Sequence, residues 1–466
     1  MENTTPIIEE TQRPPGLLEV DAALVSDITA LLESGADGMV MNLVADLYPA
    51  DLGLLLTRLP AEGAERLFEL LPNEKAGQVL AELDDDFRAR LLHEAHTERL
   101  KELIEELETD DAADVLADLP EDVASQVLPL LEDSEDVREL LTYDEETAGG
   151  IMGREFVAVR ETSTVAEATE EVRRMADIVH DVYAVFVLDE DQKLLGTISL
   201  KKLLLSPART PVIDIMDTDV ITTTPDVDQE EVGRIMQKYD LVSLPVVSPE
   251  GRMLGRITID DIVDVIREEA EEDIQLMSGM SGTEDPSDTV GLIVKGRLPW
   301  LIVGMFGAGL SGVVIGRFEH ALEQAVVLAA FIPIVMAMAG NAGIQSSSIV
   351  VQGLASGQLW SSDVLRRLAK ELSVALLNGF ILAAILGLAV LVLPIEGTYI
   401  PSLALTVSLS MLTVIVLATL IGTTVPLLLN KLNIDPALAT GPFITTSNDI
   451  VGLTVYFLLA SLIYLR

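Results

Sequence analysis

The sequence predicts a multidomain membrane protein: an α-helical superhelical N-terminal domain, an α/β pair, a connecting helix and a five-helix all-α transmembrane domain. Three observations carry that reading. Charge breaks the chain in two, because residues 1–290 hold 22 Lys/Arg against 68 Asp/Glu whereas residues 291–466 hold 8 against 7. The second part contains five apolar stretches long enough to cross a hydrocarbon core of about 30 Å. Between the helical start and those stretches lie two related halves whose hydrophobic period switches from helix to strand.

The 466 residues include no cysteine, which excludes disulfides and thiolate metal sites. Residues 1–15 are acidic and polar and lack the charged-then-apolar pattern of a cleaved signal peptide, so the acidic part is expected in the cytoplasm. A polyanion of about −46 is repelled by nucleic acid and by anionic lipid, and it can hold divalent cations. Acidity for solubility alone is the simpler alternative.

Residues 16–140 place apolar side chains at helical spacing with recurrent breaks, as in Leu52-Gly53-Leu54-Leu55-Leu56-Thr57-Arg58-Leu59-Pro60. A Leu-Pro step with an acidic opening recurs at Leu59-Pro60-Ala61-Glu62, Leu71-Pro72-Asn73-Glu74 and Leu119-Pro120-Glu121-Asp122. It puts proline and carboxylates in first turns, where they suit the helix dipole. A small α-solenoid of short helices follows.

Residues 151–268 contain the two halves. Val185-Phe186-Val187-Leu188-Asp189 leads to Leu195-Gly196-Thr197-Ile198-Ser199-Leu200, and Leu244-Pro245-Val246-Val247-Ser248 leads to Leu254-Gly255-Arg256-Ile257-Thr258-Ile259-Asp260-Asp261. Each reads strand, turn, strand, helix. Ile151-Met152 and Ile215-Met216 open the halves, each followed by a strand and by an amphipathic helix ending near Met175 or Met236. The segment resembles a tandem pair of cystathionine-β-synthase (CBS) domains, at 151–205 and 206–262. The stretch from Gly255 to Asp261 also resembles that family's ribose-binding pattern, which makes Thr258 and Asp261 candidates for an adenine nucleotide such as ATP. The first half has Lys202 where the aspartate belongs, so at most one nucleotide site is implied.

Residues 263–290 continue as an acidic connecting helix over 263–277, broken by Gly279, Gly282 and Pro286. The transmembrane domain, 298–466, has spans near 298–317, 322–346, 371–393, 402–429 and 441–465. Lys295 and Arg297 precede the first span, Arg366, Arg367 and Lys370 the third, and Lys431 lies between the fourth and fifth. Alternating spans put all of these on one side, and the positive-inside rule makes that side cytoplasmic. The odd span count then leaves the C-terminus, Arg466, outside a bacterial-type inner membrane.

Asp449 sits deep in the last apolar stretch, within Thr445-Thr446-Ser447-Asn448-Asp449-Ile450. A carboxylate at mid-membrane costs roughly 2.5–3.5 kcal/mol on insertion scales and usually faces a water-filled path. Thr445 precedes it by one turn on the same face. In the second span, Pro333 to Ser348 form a line of small and polar residues, with Asn341 and Gln345 four apart on one face. Interhelical hydrogen bonding in a tight bundle is the plainer account of that line taken alone. Together these groups offer oxygen donors without thiolate or imidazole, which suits a hard cation such as Mg²⁺ that keeps most of its water. His93, His96, His180 and His320 are scattered and suggest no metal set.

Residues 16–466 resemble the MgtE family of magnesium channels in domain order. They also match it at Arg297-Leu298-Pro299-Trp300-Leu301, Gly340-Asn341-Ala342-Gly343-Ile344-Gln345 and Asn448-Asp449-Ile450-Val451-Gly452-Leu453. The resemblance implies that Asp449 and Asn341 are pore residues and that the backbone oxygens of Ala337 and Thr445 face the ion. Ala339 stands where Gly is usual, an added methyl expected to tighten the filter or to alter how readily competing cations enter. The resemblance also implies closure by cytoplasmic Mg²⁺ held among Asp110, Asp114, Asp228, Asp240, Asp261, Asp264, Glu269, Glu272 and Asp273. The expected molecule is a homodimeric Mg²⁺-selective channel in which two copies of Asp449 flank a two-fold axis. The alternatives are a secondary cation transporter coupled to H⁺ or Na⁺, and a nucleotide sensor whose spans are only anchors. No nucleophile–base pair, phosphate loop or catalytic histidine arrangement is evident, so no enzyme activity is expected.

Overall fold

The computed structural model describes residues 20–465 except 94, 177, 180, 283, 285–288, 357, 358, 360–363, 393–398, 433 and 440. The readings for residues 1–15, His180, Pro286 and Arg466 lie outside the described residues. Two compact units divide within one helix, the first ending at Val265 and the second beginning at Ile266.

The first unit opens with short helices: α1 (Ala22–Glu33), α2 (Asp37–Val44), α3 (Pro49–Arg58), α4 (Ala61–Leu70), α5 (Asn73–Ala81), α6 (Asp85–Leu92), α7 (Thr97–Ile104), α8 (Thr109–Ala117), α9 (Glu121–Val127) and α10 (Ser134–Leu140). The Leu-Pro steps act one position earlier than their sequence suggests. Pro60, Pro72 and Pro120 occupy the N-cap position itself, extended, with Glu62, Glu74 and Glu121 in the following first turns. A cap residue needs no N–H for the helix ladder, so proline ends one helix and starts the next without loss. The leucine before each proline is buried and closes the core between layers, as Leu59, Leu71 and Leu119 do.

The α/β halves follow. The first comprises β1 (Ala158–Arg160), α11 (Val165–Arg174), β2 (Ala184–Leu188), β3 (Leu194–Ser199) and α12 (Leu200–Leu205). β1 lies parallel to β2 with Val159 opposite Val187, and β2 runs antiparallel to β3 with Val185 opposite Ile198. Thr164 and Glu167 form a reciprocal capping box that fixes the start of α11. The second half comprises α13 (Gln229–Tyr239), β4 (Ser243–Val247), β5 (Met253–Thr258) and α14 (Ile259–Met277). β4 and β5 pair antiparallel with Leu244 opposite Ile257. The strand expected after Met216 is reduced to a single parallel bridge between Thr223 and Val246. The connecting helix begins four residues before its expected start, because β5 runs directly into α14 and no residue breaks the 19-residue helix.

In the second unit, five helices are long and apolar enough to cross a membrane. They comprise α15 (Val290–Arg317), then, after the short α16 (Glu319–Gln324), α17 (Ile332–Ala355), α18 (Val364–Val392), α19 (Ile400–Lys431) and α20 (Gly441–Ile463). The second span starts later than its hydropathy suggests, since α16 and a 3₁₀ turn at Val326–Phe331 occupy its expected beginning. It runs on to Ala355 because Ser346 and Ser347 turn into the bundle instead of ending the helix. α19 is the hub: half of its apolar window is buried, against 11% for α15.

Candidate functional site

α17 and α20 lie antiparallel, and their glycines set the register. A Cβ on Gly343 would collide with the amide nitrogen of Asn448, and one on Gly452 would stand 3.1 Å from Met336. Asn341, between those two contacts on α17, therefore lies at the depth of Asp449 on α20. Ala337, Asn341 and Gln345 form an exposed line along α17, four residues apart, while Thr445 and Asp449 are half-buried beside them. Thr445 Oγ1 shares its hydrogen between Gly441 O at 3.2 Å and Pro442 O at 3.1 Å. Among the described residues no ion pair or hydrogen bond neutralises Asp449. Ala339 departs from its expected place at the ion path: its side chain is fully buried in the core with Leu328 and Val335, on the opposite side from Asn341.

A second set of carboxylates converges in the first unit. Glu108, Asp110 and Glu155 each bring one oxygen within 4.8 Å of the others. Glu108 is the N-cap residue of α8 and Asp110 stands in its first turn. Glu155 is held by Thr109, whose N–H and hydroxyl donate to it at 3.0 and 2.9 Å. Thr109 Oγ1 accepts from the Arg154 N–H at 2.9 Å, and Gly153 exchanges two 2.9 Å backbone bonds with Arg256 of β5. A Cβ at Gly153 would stand 3.1 Å from Asp110 Oδ2, so that close approach suits glycine.

Asp261, in the first turn of α14, adds a further negative charge. Burial, then the charges of Asp261 and Asp111, push the Asp110 carboxyl well above the usual range. Burial raises Glu155 as well. Asp261 is also raised by burial, although the N–H and hydroxyl of Thr258 donate to its Oδ2 at 3.2 and 2.6 Å. Two oxygens on opposite sides of a Mg²⁺ ion at about 2.0–2.1 Å stand about 4.2 Å apart. The oxygen set therefore converges on the scale of a hard divalent cation's coordination shell.

The structure redistributes the other acidic candidates. Asp114 joins Asp118 around the buried Arg88, whose Nε donates to Asp118 Oδ2 at 2.6 Å and whose Nη2 donates to Asp85 at 2.8 Å. Desolvation lifts Asp118 to about 6 against the pull of Arg88, and lifts Asp114 to about 7, although Asp114 keeps an exposed surface. Asp228 and Asp240 serve α13 instead: the first caps it, accepting from the Glu230 N–H at 2.9 Å, and the second ends it in the left-handed region with φ 53°. Both are exposed. Asp264 adds to burial in raising Glu82. Glu269, Glu272 and Asp273 lie on the part of α14 that belongs to the second unit, where Glu272 packs on Gly282. Sequence reasoning missed Glu108, Asp111, Asp118, Glu155 and Arg88.

Family models match in chain order: an MgtE intracellular N domain over 47–146, CBS domains over 148–208 and 212–268, and a divalent cation transporter over 332–459. The chain is 34% identical over 330 residues to the magnesium transporter MgtE of Bacillus subtilis, covering 71% of this chain and 72% of that one. It is 35% identical over 336 residues to the same-named protein of Thermus thermophilus, covering 70% and 72%. A crystal structure of the cytosolic domain of the Mg²⁺ channel MgtE in complex with ATP is similar over 52% of this chain and 99% of that one, at 37% identity and a TM-score of 0.49.

Proposed function

The chain belongs to the MgtE family of magnesium transporters, and we propose that it is a Mg²⁺-selective channel closed by cytoplasmic Mg²⁺. It is a membrane transporter of Mg²⁺ and not an enzyme. The observation that carries the channel reading is Asp449, a carboxylate without a countercharge among the described residues, level with the exposed amide of Asn341. A fixed negative charge beside neutral oxygen donors attracts a hydrated divalent cation without the cage of ligands that would trap it.

The exposed line of Asn341 and Gln345 supports a homodimer. Amides facing hydrocarbon are costly, and a second copy turned onto that face would enclose a polar path with two Asp449 carboxylates. Asn341, Asp449, Thr445 and Ala337 are the residues we assign to it. The membrane is the cell's inner membrane, with the acidic unit cytoplasmic and the C-terminus outside.

Closure is assigned to Glu108, Asp110, Glu155 and Asp261. Their mutual repulsion opposes the packing of α8 against the segment 153–155, and a bound divalent cation supplies the positive charge that cancels it. Cytoplasmic Mg²⁺ thus shifts the population toward the packed state by binding it preferentially. Thr258 and Asp261 remain the candidates for ATP, and because Asp261 also faces Asp110, nucleotide and cation would compete for one carboxylate.

The test is Mg²⁺ influx into proteoliposomes at imposed voltages, with and without pH and Na⁺ gradients, at low and high Mg²⁺ on the cytoplasmic face. Flux should follow voltage and the Mg²⁺ gradient and fall at high cytoplasmic Mg²⁺. Flux that tracks a pH or Na⁺ gradient would replace the channel with a coupled carrier.

A further inference from the structure

The five membrane helices contain two carboxylates among their described residues, and they differ in every respect. Asp449 is half-open and lacks a countercharge; Glu371 of α18 is 8% exposed and fully engaged. Glu371 Oε1 accepts from Arg367 Nη2 at 2.6 Å, one turn earlier on the same helix. Its other oxygen accepts from Ser346 Oγ of α17 at 2.8 Å. Ser346 Oγ stands 2.7 Å from Thr423 Oγ1 of α19, and Thr423 in turn donates to Thr419 O at 2.8 Å. Each hydroxyl carries one hydrogen, so Ser346 gives its own to the carboxylate, and the single Thr423 hydrogen is shared between Thr419 O and Ser346 Oγ. One carboxylate thereby ties the back of α17 to α18 and α19.

We infer that Glu371 is a positioning residue for cation conduction: through Ser346 it fixes the rotation of α17 about its own axis, and with it the direction of Asn341 and Gln345. The back of α17 needs such a stop. Ala339 and Gly343 pack there by contact alone, and small side chains allow close approach without defining a rotational position. Ser346 lies five residues beyond Asn341, about 7.5 Å along the helix and about 140° around it, so anchoring the one aims the other. A carboxylate suits the task because its charge strengthens the hydrogen bond it accepts. Burying that charge is costly and is offset by Arg367, an expense that a leucine at 371 would avoid.

This inference rests on the assignment of Asn341 and Asp449 to the ion path, and one experiment separates the two. Initial Mg²⁺ influx into proteoliposomes is measured against external Mg²⁺ for the full-length wild type, Ser346→Ala, Ser346→Thr, Glu371→Asp and Asp449→Asn, with folded protein quantified by size exclusion. Ser346→Ala loses the hydroxyl and Glu371→Asp shortens the reach while keeping the charge. Both should raise the half-saturating Mg²⁺ by about fivefold, the scale of one lost hydrogen bond, and lower discrimination against Ca²⁺, while Ser346→Thr restores wild-type values. A purely structural role would lower the folded yield and leave half-saturation and discrimination unmoved. If Asp449→Asn is silent while Ser346→Ala and Glu371→Asp match the wild type, the positioning role alone falls. If Asp449→Asn conducts normally, the ion-path assignment falls and takes this inference with it.

Discussion

Asn448 presses its side-chain amide onto Gly343, at a point where even one methyl group on residue 343 would overlap the amide nitrogen. This contact sets the register of α20 against α17 and so brings Asp449 level with Asn341. Gly343→Ala should lower the thermal stability of the detergent-solubilised protein by about 1–3 kcal/mol, the usual cost of overpacking. Gly312→Ala on α15, where nothing lies within 4 Å, should be neutral or gain up to about 1 kcal/mol from helix propensity.

Removing the Asp449 charge from the proposed ion path leaves the carboxylates of the first unit untouched. Asp449→Asn is expected to reduce Mg²⁺ flux by about tenfold or more, a barrier change of ~1.4 kcal/mol or above. Protection of the acidic unit from protease by Mg²⁺ should remain as in the wild type. Loss of both together would show that the substitution acts by misfolding.

Among the acidic residues, position in the fold separates the proposed gating set from the helix caps. Asp110→Asn and Glu155→Gln should each raise the cytoplasmic Mg²⁺ needed for closure by about tenfold. Asp228→Ala should leave that concentration unchanged and cost about 1 kcal/mol of stability, the worth of a helix cap. Patch recordings across a Mg²⁺ series distinguish the two classes.

Stability should depend on pH in a direction opposite to that of a carboxylate whose pKa is lowered on folding. Asp114 and Asp118, held near 7 and 6 by desolvation, keep protons in the folded chain that the unfolded chain has already released. Folding stability therefore falls as pH rises from about 4 toward 7 and levels off above. In chelator, the melting temperature of the full-length protein should drop by several degrees between pH 5.5 and 7.5, at roughly 2–4 °C per kcal/mol.

The membrane half was legible because composition alone defines it: a run of apolar residues has few other uses, and a lone Asp449 inside one is conspicuous. The helix boundaries were less so, since Ser346 and Ser347 look like an ending until their burial shows them facing other helices. The acidic set was read only in part. Asp110 and Asp261 came into view through the family resemblance, but Glu155 reaches Thr109 across 46 residues and no local pattern announces the meeting. The capping role of Asp228 had its own signal in the sequence, an aspartate followed by Glu230 and Glu231 at the opening of an amphipathic helix. Glu371 was hidden by its neighbours, because Arg366, Arg367 and Lys370 made it look like one more charge at a membrane boundary.

The exposed Asn341 and Gln345 also bear on the life of the protein before it conducts anything. In the proposed homodimer, a newly inserted copy would show these amides to acyl chains and gain nothing from them until it meets its mate. An unpaired subunit of that dimer would thus be chemically marked within the bilayer as a target for membrane quality control. Abundance in the cell would then be limited by how fast copies encounter one another, with weakly expressed or truncated forms cleared first.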